Sequence, residues 1–160
     1  MAKANMRSRI VSILLVLMML LTMAPVTANA AEWETVTTYE QLAAAMTAES
    51  RRNVKLGCDI DTQKENGGMG MSESLDVKGQ KQLDLNGYTL RMFSAKTAVT
   101  KMIRVQNADL TVLDSSAGQT GRISGTTDNN SAYLIHVQEN GKFTLSSGKL
   151  EVDKGSPDHE

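Results

Sequence analysis

A single cysteine, Cys58, stands among the 160 residues, so no intramolecular disulfide can brace the chain; the fold must rest on a hydrophobic core alone. Aromatic residues are also scarce, at 4%. Basic charge is not in excess either: 17 Lys and Arg face 18 Asp and Glu. Three of those bases, Lys3, Arg7 and Arg9, lie in the first thirty residues with no acid beside them, so the remainder is mildly acidic. A nucleic-acid surface needs a basic stripe and usually stacking rings, and this composition excludes one. Long hydrophobic runs are confined to residues 10–23, shorter than the roughly 20 residues a membrane-spanning helix needs.

That run follows the three charges and precedes Ala28-Asn29-Ala30, where small residues flank a larger one. The layout is that of a secretory signal peptide over residues 1–30, with cleavage expected after Ala30 and no stable membrane span thereafter. The product is expected to be secreted or held at the cell surface. No cysteine stands directly after the run to accept a lipid.

Residues 31–53 form an N-terminal segment with a helix over 38–48. Thr38 and Gln41 have the spacing of a capping box, and Tyr39, Leu42, Ala43 and Met46 fall on one stripe. From Val54 the period drops to two: Val54, Leu56, Cys58 and Ile60 alternate with polar or small residues, a strand signature that makes Cys58 a small core residue without chemistry. Such pairs recur. Leu83/Leu85, Leu90/Met92 and Ile103/Val105 are followed by Leu110/Val112, Ile123 and Ile135/Val137 at offsets of 27, 33 and 32 residues. Val54/Leu56, Cys58/Ile60 and Leu75/Val77 precede them by 29, 32 and 28, and Phe143/Leu145 with Leu150/Val152 follow.

A unit of three short strands repeating near thirty residues predicts a solenoid whose coils bury apolar edges only by stacking. The fold class expected is all-β, a right-handed parallel β-helix of about four coils over 54–152, capped by the N-terminal helix. Asn86-Gly87, Asn140-Gly141 and Ser147-Gly148 supply its corners. The tail, 153–160, ends before a last strand can form, so either it folds over the final coil or the native product continues.

The phrases YEQLAAAM, VKLGCDID, LDLNGYTL, LTVLDSSAGQTGRISG and GKFTLSSGKLEV together resemble the N-terminal part of bacterial secreted or cell-surface proteins with the pectate-lyase-like right-handed parallel β-helix fold. The resemblance covers roughly residues 33–152. It implies contact with polysaccharide or a cell-surface glycan as a general theme, and fixes no activity.

Long connections at 61–74, 93–102 and 124–134 should project from one side, so Lys64, Glu65, Lys96, Lys101, Asp128, Asn129 and Asn130 are the candidate ligand contacts. No cofactor or metal is expected. Asp59 and Asp61 read as a solvated strand-surface pair, with Asp84 one coil on, too few ligands for calcium, which takes 6–8 oxygens. Arg122 reads as a corner residue. His136 points out from its strand, and His159 lies too far away to join it in a triad or zinc site. Asn66 to Gly70 lacks the Lys and helix of a phosphate loop. With no complete catalytic constellation present, the expected function is a non-catalytic exported module. The alternatives are the N-terminal piece of a polysaccharide lyase or glycoside hydrolase, and a structural spacer without ligand.

Overall fold

The computed structural model describes residues 32–94, 100–127 and 132–154, all in the unit Ala31–Glu160. Residues 1–30, where a signal peptide is expected, Lys96, Asp128, Asn129, Asn130 and the tail from 155 lie outside the described residues.

The chain opens with strand β1 (Trp33–Val36), which the two-residue periodicity does not announce, then helix α1 (Tyr39–Thr47). The Thr38 side chain accepts from the Gln41 amide at 3.3 Å. Gln41 Oε1 reaches past Thr38 to accept from the Thr37 amide at 2.9 Å, so the capping box closes one residue upstream of its usual partner. Leu42, Ala45 and Met46 are buried, and Tyr39 and Ala43 pack against the core from its margin.

Strands β2 (Arg52–Leu56), β3 (Ile60–Asp61) and β4 (Leu75–Val77) make the first coil. Strands β5 (Gln80–Asp84), β6 (Thr89–Ser94) and β7 (Lys101–Gln106) make the second, and β8 (Asp109–Leu113), β9 (Arg122–Thr127) and β10 (Tyr133–Gln138) the third. Strands β11 (Lys142–Leu145) and β12 (Lys149–Lys154) begin another. The turn α2 (Thr62–Glu65) follows β3. Every pairing is parallel, in three sheets ordered β1-β2-β5-β8-β11, β3-β6-β9-β12 and β4-β7-β10. The architecture is a parallel β-solenoid of three complete coils, slightly fewer than the four expected.

Columns of apolar side chains form the core, each fully buried side chain contributing about 1.5–3 kcal/mol. Val54, Leu83, Val112 and Leu145 align on the first face, Ile60, Leu90, Ile123 and Leu150 on the second, and Leu75, Ile103 and Ile135 on the third. The columns open toward the last rung: Val112 is 0% exposed but Leu145 40%, Ile123 0% but Leu150 37%, and Val105 0% but Val137 44%.

Two offsets are corrected by two residues. Leu83 pairs with Val112 and Lys81 with Leu110, so the true step is 29, because Leu85 is buried beyond the strand end and Lys81 occupies the inward site. Ile60, not Cys58, pairs with Leu90. Cys58 sits half-buried at the corner between β2 and β3, its thiol donating to Thr37 O at 3.2 Å. The corner at Asn86-Gly87 has positive φ at both residues and Ser147-Gly148 at the glycine; at Asn140-Gly141 the positive φ falls one residue earlier, on Glu139.

Candidate functional site

The long connections are shorter than their sequence spans suggest. Phe93, Ser94 and residues 101–102 belong to β6 and β7, and residues 124–127 and 133–134 to β9 and β10. Ser124, Gly125 and Met102 are buried, so these are rungs and not loop. The 62–74 connection is the one described in full, and it carries Lys64 and Glu65.

Those two residues share an open groove of about 380 Å³ with Asp59, Asp61, Thr89, Arg91 and Arg122. Asp61 caps α2, its Oδ1 accepting from the amides of Gln63 at 3.0 Å and Lys64 at 3.3 Å. Asp59 Oδ1 accepts from the Thr89 amide of the next coil at 2.7 Å, and Glu65 Oε2 from the Tyr39 amide at the start of α1 at 2.8 Å. The acids lining this groove are thus anchors of backbone: Asp59 is exposed as expected, whereas Asp61 is half-buried, and both hold amides in addition to facing the groove. The cations are freer. Lys64 lies 4.0 Å from Asp61 with its side chain 84% exposed, Arg122 Nε is 3.7 Å from Glu151, and Arg91 is exposed with no ion-pair partner among the described residues.

Lys101 lines a separate groove of about 400 Å³ with Ser72, Glu73, Ser74, Asp76, Thr100 and Arg104. Here Arg104 grips Asp76 across one rung, Nε donating to Oδ1 at 2.8 Å while Nη2 reaches the other oxygen. His136 follows Arg104 in register, half-buried, its ring 5.5 Å from that of Tyr133. Tyr39 is pushed up to about 12, mainly by burial and further by the negative charges of Asp76 and Glu73. The structure therefore brings Lys64 and Glu65 together and holds Lys101 apart from them.

Sequence reasoning passed over Arg91 and the Asp76/Arg104 pair. The signal for the pair was present: the two are 28 residues apart, the same step as Leu75 to Ile103.

Asp84 also departs from its expected role. It is 1% exposed, accepts from the amides of Asn86 and Ser115 at 2.9 Å each, and lies 3.2 Å from Lys55 Nζ. Burial works to raise its pKa, but these hydrogen bonds outweigh it and leave the carboxyl below the ordinary value. At the other end of β5, Lys81 donates to the carbonyls of Ala48 at 2.7 Å, Ser50 at 2.8 Å and Lys78, tying the end of α1 to the first face. Burial holds its pKa below the usual lysine value.

No curated protein and no solved structure matches the chain. Residues 33–145 match the family model of the pectate lyase-like adhesive domain, most of the solenoid just described, and the chain belongs to that family.

Proposed function

We propose that the protein is an exported, non-catalytic adhesive module that contacts glycans at the cell surface through the side carrying the 62–74 connection. The groove beside α2 carries this reading: its three carboxylates are engaged by backbone amides, while Lys64, Arg91 and Arg122 face solvent across three successive coils. Guanidinium forks with free donors suit the hydroxyl and acidic groups of a polysaccharide. Family membership supports adhesion, and the pattern of residues 1–30 supports export.

The test is binding of the full chain to immobilised plant, host and bacterial glycans, with the Arg91→Ala/Arg122→Ala double variant beside it. Binding that weakens about tenfold or more in the variant, roughly 1.4 kcal/mol, supports the groove. Absence of binding across the panel would favour a spacer. Release of unsaturated or reducing sugar ends would identify a lyase or hydrolase.

A further inference from the structure

The sequence Met69-Gly70-Met71 sends one methionine outward and the next inward. Met71 is 1% exposed, and its amide donates to Phe93 O at 2.8 Å. Met69 is 77% exposed. The turn that carries it is held by the Gly68 amide donating to Gln63 O at 2.7 Å and by Asn66 Nδ2 donating to Gly70 O at 2.8 Å. Gly67, Gly68 and Gly70 have φ of +60°, +92° and +74°, values at which a side chain is strained. At Gly70 a Cβ would lie 2.4 Å from Phe93 Cδ1, so the chain passes tight against β6 before turning in. Beside Gly67 and Gly68 there is open space, with no atom within 4 Å of a built Cβ. The thioether of Met69 is therefore presented to solvent by a braced turn.

The other described methionines are sheltered: Met46, Met71 and Met102 are 1% exposed and Met92 0%. We propose that Met69 is the oxidant-accepting site of the solenoid, taking peroxides. The sulfur lone pair attacks one peroxide oxygen, the O–O bond breaks, and a sulfoxide S–O bond forms. For hydrogen peroxide the leaving hydroxide takes a proton and departs as water, so the sulfur loses two electrons and the peroxide gains two. The added oxygen enters solvent and leaves the core packing undisturbed. Reaction at the four sheltered thioethers requires the coils to open first. This inference stands whether or not the domain binds a glycan.

The experiment treats the full chain with hydrogen peroxide, maps sulfoxide by mass spectrometry in peptides from residues 32–154, and follows thermal unfolding of the same samples. Met69 is expected to oxidise at least about tenfold faster than Met46, Met71, Met92 or Met102, with the melting temperature unchanged. In Met69→Leu the fast phase should vanish from these peptides. Comparable rates at any sheltered methionine, transfer of the fast phase to another one in the variant, or a fall in melting temperature as Met69 oxidises would each overturn the proposal.

Discussion

Asp84 and Asp114 hold each other's turns. Asp84 Oδ1 accepts from the amide of Asn86 in its own turn and from Ser115 in the coil after it. Asp114 Oδ1 accepts from Ser116 in its own turn at 3.0 Å and from Gly87 in the coil before it at 2.8 Å. The second oxygen of Asp114 accepts from the buried amide of Gly121 at 2.6 Å. Each carboxylate thus performs a local Asx-type turn contact and a cross-coil one with the same atom.

Asp114→Ala should be costly because it leaves three amides without their acceptor. A loss on the order of 2–4 kcal/mol is expected, read from the midpoint of urea unfolding. A midpoint within error of the parent would mean that water replaces the carboxylate without penalty.

Acid should act through the same pair. Burial raises both pKa values, but the amide hydrogen bonds prevail and leave Asp84 and Asp114 below the ordinary 3.8. A carboxyl with a depressed folded pKa contributes stability that is complete above its unfolded value and is lost as pH falls through the folded one. The melting temperature should therefore be insensitive to these groups at neutral pH and drop below about pH 4. In Asp84→Asn/Asp114→Asn the stability deficit relative to the parent should shrink as pH falls through that window. A deficit constant from pH 7 to pH 2 would exclude the linkage.

Gly121 and Gly118, in the same loop, should respond unequally to alanine. At Gly121 a Cβ would lie 2.6 Å from Leu85 Cβ and 2.7 Å from Asp114 Oδ2, whereas at Gly118 its nearest neighbour is Thr120 Cγ2 at 3.4 Å. Gly121→Ala should cost about 1–3 kcal/mol by overpacking, and Gly118→Ala less than about 0.5 kcal/mol. Equal effects in paired thermal melts would contradict this account of the corner.

Lys81→Met keeps the length of the side chain and removes its donors. The carbonyls of Ala48, Ser50 and Lys78 would lose their partner, and a destabilisation of about 2–4 kcal/mol is expected. Hydrogen exchange should rise first in the Ala48–Ser50 segment. A variant as stable as the parent would make Lys81 a filler of space rather than a staple.

Lys81 also explains how far the sequence could be read. Strand pairs and their period near thirty are legible because burial imposes alternation on every inward column, as Val54, Leu83 and Val112 show. The register at β5 is not, because an inward lysine satisfied by three carbonyls looks polar while Leu85, past the strand, looks like a rung residue. Asp84 misleads in the same way: its position alternates outward, and only the amides of two turns make it a buried residue. The candidate site was legible in part. Lys64 and Glu65 follow from loop placement, but Arg91 lies within a strand, and its place in the groove depends on how the first coil's connection folds beside it.

The corner between β8 and β9 holds a practical consequence. Its segment leaves Asp114 and returns to the same side chain, since the amides of Ser116 and Gly121 both bind that carboxylate. Both ends of the exposed stretch Ala117–Thr120 are thereby clamped at one point, and its contour length is decoupled from the spacing of the rungs. An epitope tag or fluorophore-bearing peptide spliced between Ala117 and Gly118 would be displayed as a tethered bubble, with β9 still seated on β6.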